Sequence, residues 1–429
     1  MKRSLKILGI VLVIGIVALL LKPTYAMLCD DHIAAGADLG IEAVPDSAGT
    51  AFQTAFCKYT KITAPNGQPI EFFAQAEVSN DQMVRARRIL EFFLENVPES
   101  EYGADKTAVS NQMALNEAKL LLLNGRDDGT NPATYLGGQP LYAEEMLIEG
   151  SAGYLSTDFE TYRDASFEEI LHLMHDTGIG VDGPNSSPGA IPAYQADIRA
   201  ATNNATSNNF HIWPRGADGS DPDIANWYQE LAAENSLTQE YLASVIDSYY
   251  GYWAASGENA GGMYGLYIAQ TRAEIATLDP MGQRLMEQYF NPYVTYMARI
   301  DPSFDGTFSL SFDPAQPYTH KSQYLLNGRL TGTNNANLTG NDQDNRLQGN
   351  AGNNVLDGKD GTDTAVFLGN KSDYAITTDG ATTTVTDVSA DRDGSDTLRN
   401  IEWLQFADQT SAIDNNANTV PLYLPIASR

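Results

Sequence analysis

Apolar residues recur with a helical period through much of residues 27–300. Residues 82–95 are the clearest case, because four apolar side chains fall on one face of a helix and three arginines fall elsewhere. The apolar residues are Met83, Ile89, Leu90 and Phe93, and the arginines are Arg85, Arg87 and Arg88. The pattern predicts an amphipathic helix that buries its apolar face and leaves the three arginines in water.

Other stretches of this region predict further elements. The apolar run at residues 118–123 predicts a buried strand. Residues 184–214 are rich in Gly, Pro, Asn and Ser, which predicts a long connection around a short helix. Helical periodicity returns at residues 237–253, and residues 271–298 add one or two helices broken at Pro280.

A different period begins in the last quarter of the chain. An apolar residue recurs every nine residues, and a glycine stands in step with it. The apolar residues are Leu338, Leu347, Leu356 and Ala365, and the glycines are Gly340, Gly349 and Gly358. This period predicts a parallel β-roll, in which each repeat contributes a turn, a short strand and one inward apolar residue. Alternating apolar and polar positions over residues 364–409 predict further strands.

These patterns predict an α+β protein with two domains. Residues 27–300 form a mainly helical domain, and residues 321–429 form an all-β domain of the β-roll or sandwich type. Residues 301–320 are rich in Pro, Asp and Phe, which predicts a linker or an edge hairpin. With 429 residues, of which 42% are hydrophobic, the chain is long enough to bury at least one sizeable core.

The N-terminus predicts export from the cell. Residues 1–26 combine a basic start, an apolar run at residues 7–21 and a small-residue cleavage site, the pattern of a signal peptide. An uncleaved anchor is the alternative, but the run is shorter than the roughly 20 residues that span a bilayer. We therefore expect cleavage, no stable membrane span afterwards, and a secreted protein. The two cysteines, Cys29 and Cys57, are expected to form one disulfide, with two buried free thiols as the alternative.

The charge of the chain excludes one class of partner. The sequence holds 55 acidic and 26 basic residues, a formal net charge of -29. Nucleic-acid binding needs a basic footprint that this composition does not supply, so no nucleic-acid partner is expected. The acidity suits solubility or a saline medium. No pattern in the sequence specifies an oligomeric state.

Residues 164–180 carry a pattern close to that of a zinc hydrolase. Such enzymes place two histidines four residues apart on a helix, with a glutamate directly after the first as general base. Here Glu168 stands in the first position, Glu169 in the base position and His172 in the second ligand position. His175 falls on the same helical face as Glu168 and His172 and is a further candidate ligand. Zinc accepts carboxylate oxygen as well as imidazole nitrogen.

A structural interpretation of the same residues stays open beside the metal site. Ser166 followed by Glu169 three residues later is a capping box, and acidic residues in a first turn are favoured by the helix dipole. On that interpretation both glutamates stabilise the helix start, and His172 and His175 are partly buried polar residues.

The surrounding sequence resembles a family of enzymes. The order of elements over residues 77–182, together with the EYLAS sequence at residues 240–244, resembles secreted zinc metallopeptidases of the lethal-factor-like group. Those proteins use a His-Glu-x-x-His helix and a later helix of the type Glu-aromatic-aromatic-Ala-Glu. Ser244 stands where that later helix has its second glutamate.

This resemblance implies a zincin-like domain at residues 27–300. By position, Glu169 would be the general base, His172 a zinc ligand and Glu240 the third ligand, with Glu168 in place of the first histidine. The implied substrate is a protein or peptide. A Glu/His/Glu set is harder than the family's His/His/Glu set and adds a negative charge, which lowers the Lewis acidity of bound zinc.

The C-terminal repeats resemble a second family. Residues 340–367 are similar to the calcium-binding β-roll repeats of secreted toxins and proteases, the RTX family, in which turn oxygens bind calcium between coils. The implied calcium ligands are Asp342, Asp344, Asn345, Asn354, Asp360 and Asp363. Two of these are amides where aspartate is usual, which implies weak sites. A metal-free solenoid with solvated aspartates is the alternative.

Two functions follow from the sequence. The first is a secreted zinc metallopeptidase-like hydrolase with an altered metal shell, either active or inactive. The second is a calcium-binding extracellular surface or adhesion-type protein that performs no chemistry.

Overall fold

The computed structural model describes residues 31–413 except 32, 185, 258–260 and 390. The protein is α+β, as predicted. The predicted signal peptide and Cys29 lie outside the described residues. Cys57 is disulfide-bonded. No helix within the described ranges is both long enough and apolar enough to cross a membrane.

Helices dominate the chain before Tyr289. The α-helices are α1 (Gly49–Ala55), α2 (Asn80–Phe93), α3 (Thr107–Leu115), α4 (Ala152–Leu155), α5 (Ser166–Met174), α6 (Pro192–Phe210), α7 (Pro222–Glu234), α8 (Leu237–Tyr249), α9 (Arg272–Leu278), α10 (Pro280–Tyr289) and α11 (Thr319–Ser322). The predicted helices at residues 82–95 and 237–253 are confirmed as α2 and α8. The predicted break at Pro280 is also confirmed, because Asp279 caps α10 and Pro280 occupies its first turn.

A five-stranded sheet supports the helices. Its strands, in spatial order, are β1 (Glu42–Ala43), β2 (Lys58–Thr63), β3 (Pro69–Ala74), β4 (Lys119–Leu123) and β5 (Gln139–Tyr142). The strands β1 to β3 pair antiparallel, and β3 to β5 pair parallel. β4 confirms the buried strand predicted at residues 118–123. Leu120 and Leu122 join the main core, whereas Leu121 and Leu123 join a smaller core under α1, so both faces of the strand are covered.

Two further sheets form the C-terminal part of the protein. Their strands are β6 (Val294–Ile300), β7 (Thr307–Ser309), β8 (Leu325–Leu330), β9 (Asn337–Thr339), β10 (Arg346–Gln348), β11 (Val355–Asp357), β12 (Thr364–Val366), β13 (Tyr374–Asp379), β14 (Thr382–Asp387), β15 (Ser395–Arg399), β16 (Trp403–Gln405) and β17 (Thr410–Ala412). One sheet has the order β17-β16-β12-β10-β8-β6, and the other has the order β13-β14-β15-β11-β9-β7.

The nine-residue period is the spacing of strands that alternate between these two sheets. Leu347 on β10 pairs in parallel with Ala365 on β12, and Leu356 on β11 pairs in parallel with Leu338 on β9. All four side chains are fully buried between the sheets. We call residues 325–366 the two-sheet coil.

The two sheets begin earlier in the chain than the predicted boundary near residue 320. The predicted helix does not continue to residue 298, because β6 starts at Val294 and pairs with β8. Every second residue of β6 is buried, a strand period that the neighbouring helical pattern obscured. Residues 301–320 contribute β7, which pairs with β9. The division into domains stays a prediction.

The helix predicted within the connection at residues 184–214 is longer than expected, because it is the 19-residue helix α6. Pro192 starts this helix, and four fully buried side chains follow at helical spacing. They are Tyr194, Ile198, Ala201 and Ala205. Exposed asparagines, such as Asn203 and Asn204, gave the segment a loop-like composition, although the apolar spacing already indicated a helix.

The prediction that Arg85 lies in water is also wrong. Its guanidinium is 4% exposed and forms ion pairs with Glu149 at 2.9 Å and Asp164 at 2.7 Å. It also donates to the Ser166 hydroxyl at 2.7 Å. Because Asp164 and Ser166 lie at the start of α5, this buried network fixes the position of the helix that carries the altered zinc motif.

Candidate metal centre

The start of α5 is not a capping box. The N-cap residue is Ala165, which has no side chain to accept a hydrogen bond, and Ser166 accepts one from Arg85 instead. The capping box predicted from Ser166 and Glu169 is therefore wrong, whereas both glutamates do lie in the first turn of α5, where the helix dipole favours acidic residues. The capping pattern failed because the serine has a tertiary partner that lies 81 residues away in the sequence.

Three candidate ligands come together between two helices. Glu168 and His172 are one helical turn apart on α5, and Glu240 lies in the first turn of α8, which packs against α5. One ligand atom from each of the three lies within 4.8 Å of the others. Within the described part of the chain, no other group of three His, Cys, Asp or Glu side chains converges in this way. The group could hold a metal ion.

His172 lies between two carboxylates. Its Nδ1 is 3.5 Å from Glu169 Oε2, and its Nε2 is 3.8 Å from Glu240 Oε1. Burial lowers the pKa of His172, but the charges of Glu240, Glu169 and Glu168 outweigh burial and raise this pKa to about 10. Nε2 is buried and has no hydrogen-bond partner. An imidazole nitrogen in that state fits a metal ligand, because ligation would satisfy it.

Glu169 lies beside the three ligands and is not one of them. Its Oε2 accepts a hydrogen bond from Gln139 Nε2 on β5 at 2.6 Å. Burial raises the pKa of Glu169, but His172, Arg163 and Gln139 together lower it below its ordinary value. The carboxylate therefore stays ionised at neutral pH, as a general base must.

The negative charge of Glu168 is compensated by Arg163, a residue that was not predicted from the sequence. Its Oε2 accepts from Arg163 Nη2 in an ion pair, with the Glu168 side chain 6% exposed and the Arg163 side chain 25% exposed. Burial raises the pKa of Glu240 to about 7 and also the pKa of Glu145 to about 7. The region is thus rich in partly buried carboxylates. Arg163 precedes the motif by only five residues, but the sequence pattern did not indicate its contact.

His175 lies apart from the other candidate ligands. Its Nε2 contacts Gln195 Oε1 of α6 at 2.7 Å, and burial lowers its pKa to about 4. It is not a member of the converging group. The helical face that was used to predict it is real, but the backbone widens into a π-helix at His175–Ile179 and the side chain finds a partner on α6.

Asp247 is a second residue near the centre that the sequence analysis missed. It is 1% exposed, and its Oδ2 accepts from Trp253 Nε1 at 3.0 Å, whereas its Oδ1 is buried without a hydrogen-bond partner. Burial and the charge of Glu168 raise the pKa of Asp247. Its spacing of seven residues from Glu240 places both on one face of α8, a signal that was available in the sequence.

Two buried tyrosines help to fix the position of helix α8. Tyr241, next to Glu240, donates to Asp279 Oδ2 at 2.6 Å, and Tyr267 donates to the same oxygen at 2.8 Å. Ser244 donates to the backbone carbonyl of Glu240 at 2.9 Å, so it stabilises the same turn and offers no carboxylate. These contacts fix the backbone that presents Glu240.

A cleft opens beside Glu169. It has a volume of about 440 Å³ and lies between the N-terminal ends of β4 and β5 and the C-terminal end of α5. Gln139, which bonds Glu169, lines it together with Gly138, Asp176 and Lys119. Polar side chains such as Asn116 and Thr177 also line it, so the cleft has room and polar groups for a peptide segment.

The predicted calcium ligands divide into buried and exposed residues. Asn345 and Asn354 are buried, and their side-chain nitrogens donate to the carbonyls of Leu326 at 3.1 Å and Ala336 at 2.7 Å. Asp363 is fully buried and accepts from the Asn345 amide at 2.8 Å. The other three, Asp342, Asp344 and Asp360, are exposed. A calcium-binding role for these residues stays a prediction.

Comparison with known proteins gives no family for this chain. No protein-family model matches it, and no curated protein matches it at a significant level.

Proposed function

We propose that this protein is a secreted, zincin-like zinc metallopeptidase with an altered ligand set, Glu168, His172 and Glu240. The observation that carries the proposal is the convergence of these three ligand atoms from two helices, with an ionised Glu169 beside them. One imidazole nitrogen and two carboxylate oxygens are donors that zinc accepts in proteins. Bound there, zinc would supply Lewis acidity toward water and the peptide carbonyl.

The residues around the centre support a hydrolytic role. Glu169 is held ionised by His172 and oriented by Gln139, so its Oε2 can take a proton from a water molecule beside it. The cleft that Gln139 lines would bind a peptide segment close to this carboxylate. The second carboxylate in the ligand set makes the centre a weaker Lewis acid, so we expect slow turnover.

The experiment that tests the proposal measures bound zinc and peptide cleavage in matched variants. We expect the purified protein to retain zinc after gel filtration and His172→Ala to lose it, whereas His211→Ala, which removes an exposed histidine, should not. Glu169→Gln should keep zinc and reduce cleavage of an unfolded protein substrate by about 100-fold or more. Zinc content that is the same in His172→Ala and the wild type would refute the site.

Glu168→His is the informative gain-of-function variant. It restores two imidazoles four residues apart and removes one negative charge from the ligand set, so zinc affinity and hydrolysis should both rise by about tenfold or more. If zinc binding rises but hydrolysis stays undetectable, the protein binds metal and is not a peptidase.

A non-catalytic, calcium-stabilised extracellular protein is the second proposal. It is favoured by the ion pair of Arg163 with Glu168 and by the protonated His172, because both compensate charge at the centre without a metal. For the two-sheet coil we propose an RTX-like β-roll with weak calcium sites. A rise in melting temperature at millimolar calcium, reversed by a chelator, would support calcium binding, and an unchanged melting curve would contradict it.

A further inference from the structure

We propose that Arg163 is a built-in counter-cation of the metal centre, which holds Glu168 in the metal-free protein and competes with the metal for it. This inference rests on the proposed metal site and goes beyond it, because it assigns the control of metal affinity to a residue outside the ligand set.

The first support is the position of the arginine. Arg163 lies in the segment between α4 and α5, and its Nη2 bonds the Oε2 of Glu168, one of the three converging ligands. The Glu168 side chain is almost fully buried, at 6% exposed, whereas a quarter of the Arg163 side chain is exposed. The Arg163 side chain is therefore in partial contact with water, although its Nε is buried, whereas the carboxylate that it pairs with is not in contact with water to a comparable extent.

The second support is the balance of charge. The positive charge of Arg163 acts on five carboxylates, which are Glu145, Glu168, Glu169, Glu240 and Asp247. A carboxylate buried without a counter-charge is strongly destabilising, so a folded metal-free centre needs a cation at this place. His172 is the other basic side chain of the centre, and it contacts Glu169 and Glu240, not the Glu168 oxygen that Arg163 bonds.

The third support is the chemistry of the guanidinium. Arginine stays protonated at every pH that a protein tolerates, so it cannot give up its charge when a metal arrives. A divalent ion bound to Glu168 would be repelled by a guanidinium on the same carboxylate, unless the side chain swings out to water. An arginine that only oriented Glu168 would raise metal affinity, so the two roles predict opposite effects of removing it.

The test measures zinc affinity by competition with a chelating dye, using the full chain. Arg163→Met and Arg163→Gln remove the charge, Arg163→Lys keeps it, and Arg284→Met removes an exposed arginine charge elsewhere as the matched control. We expect the two neutral variants to bind zinc about tenfold or more tightly than the wild type. Arg163→Lys and Arg284→Met should stay within about threefold of the wild type.

A second measurement follows thermal unfolding with and without zinc. In chelator, Arg163→Met and Arg163→Gln should melt at lower temperature than Arg284→Met, because Glu168 loses its counter-charge, and added zinc should restore most of the loss. If both neutral variants bind zinc only as tightly as the wild type, or more weakly, the proposed role of Arg163 is wrong, while the proposed metal site is not affected. If neither the wild type nor any variant binds zinc, the proposed metal site is refuted along with it.

Discussion

Two arginines contact residues at the start of α5, the buried Arg85 and the partly exposed Arg163, and each compensates the charge of buried carboxylates. Arg85 pairs with Glu149 and Asp164, and Arg163 pairs with Glu168. Breaking a buried pair by removing one partner costs more than the pair contributes, because the remaining charge stays buried. Single substitutions at these positions should therefore have large effects.

Arg85→Met is expected to destabilise the protein by about 3–5 kcal/mol, since Glu149 and Asp164 would keep their charges without a partner. Arg126→Met is the matched control. The Arg126 side chain is 71% exposed in its pair with Glu144, so its loss should change the free energy of unfolding by about 0.5 kcal/mol or less. Urea denaturation of both variants checks the difference. Equal effects would show that the buried network does not stabilise the fold.

For single residues, the sequence predicts which side chains form the candidate metal centre better than it predicts which residues pair with each other over long distances in the chain. Glu168, His172 and Glu240 were all named from spacing and resemblance, and the structure brings them together. The partners of Arg85 are 64 and 79 residues away, and no local pattern encodes such contacts. His175 shows a different error. Its predicted helical face was correct, but the face does not reveal that the His175 side chain contacts Gln195.

Among the secondary-structure elements, the two-sheet coil is stabilised by buried polar side chains that hydrogen-bond from one turn to the next. The Asn354 side chain accepts a hydrogen bond from the backbone amide of Asn350 at 2.8 Å. It also donates one to the Ala336 carbonyl, which lies 18 residues earlier in the chain. Its own amide donates to Asp396 Oδ1 at 3.0 Å. Gly349 is required at this turn, because a Cβ there would lie 2.6 Å from both Asn354 Oδ1 and Asp396 Oδ2.

Asp396 gives the coil a dependence on pH. Its Oδ2 is buried without a hydrogen-bond partner, and burial raises its pKa from 3.8 to about 8. The folded chain thus binds this proton more tightly than the unfolded chain. Its stabilising effect is complete below pH 3.8, declines as the pH rises and is gone above about pH 8.

Asp396→Asn should remove this dependence. The amide carries no charge to bury, so we expect the variant to be more stable than the wild type at pH 8 by about 1–3 kcal/mol and to lose less stability between pH 4 and pH 8. Asp379→Asn, an exposed acid on β13, is the matched control. Urea denaturation followed by circular dichroism measures both. Parallel pH profiles for the wild type and Asp396→Asn would contradict the account.

Elements with one strong period were predictable, and those with a mixed pattern were not. α2, β4 and the nine-residue spacing of the coil follow directly from the positions of apolar residues. α6 was predicted only as a short helix because its asparagines give a loop-like composition, and β6 was missed although Asn291-Pro292 before it is a turn signal. In both cases tertiary burial, not composition, selects the element.

In the whole molecule, the helical part and the C-terminal sheets share one hydrophobic core. Residues from α2, α5 and β6 belong to the same buried cluster as Leu347 and Leu356 of the coil. Arg299 on β6 pairs with Asp81 of α2 at 2.6 Å, and Phe308 on β7 lies 6.1 Å from Tyr154 between ring centroids. Folding of the helical part should therefore depend on the sheets.

A chain that ends at residue 320 is expected not to fold cooperatively. β6 would lose its partner β8, and the alternate residues that β6 buries would be exposed on a sheet edge. Thermal unfolding and gel filtration of this fragment, compared with the intact chain, check the prediction. A soluble monomer with the melting temperature of the intact protein would show that residues before 320 are an independent domain.

The alternation of strands between the two sheets limits how the length of this protein can vary among its relatives. Two pairs of partner strands, β9 with β11 and β10 with β12, lie 18 residues apart, the spacing that also separates the hydrogen-bonded Asn345 and Asp363. A duplication or deletion of 18 residues adds or removes a whole coil and leaves every later strand in its own sheet. A change of nine residues would move all later strands to the opposite sheet. The coding sequences of relatives should therefore differ in this region by multiples of about 54 nucleotides, which is three for each of the 18 residues.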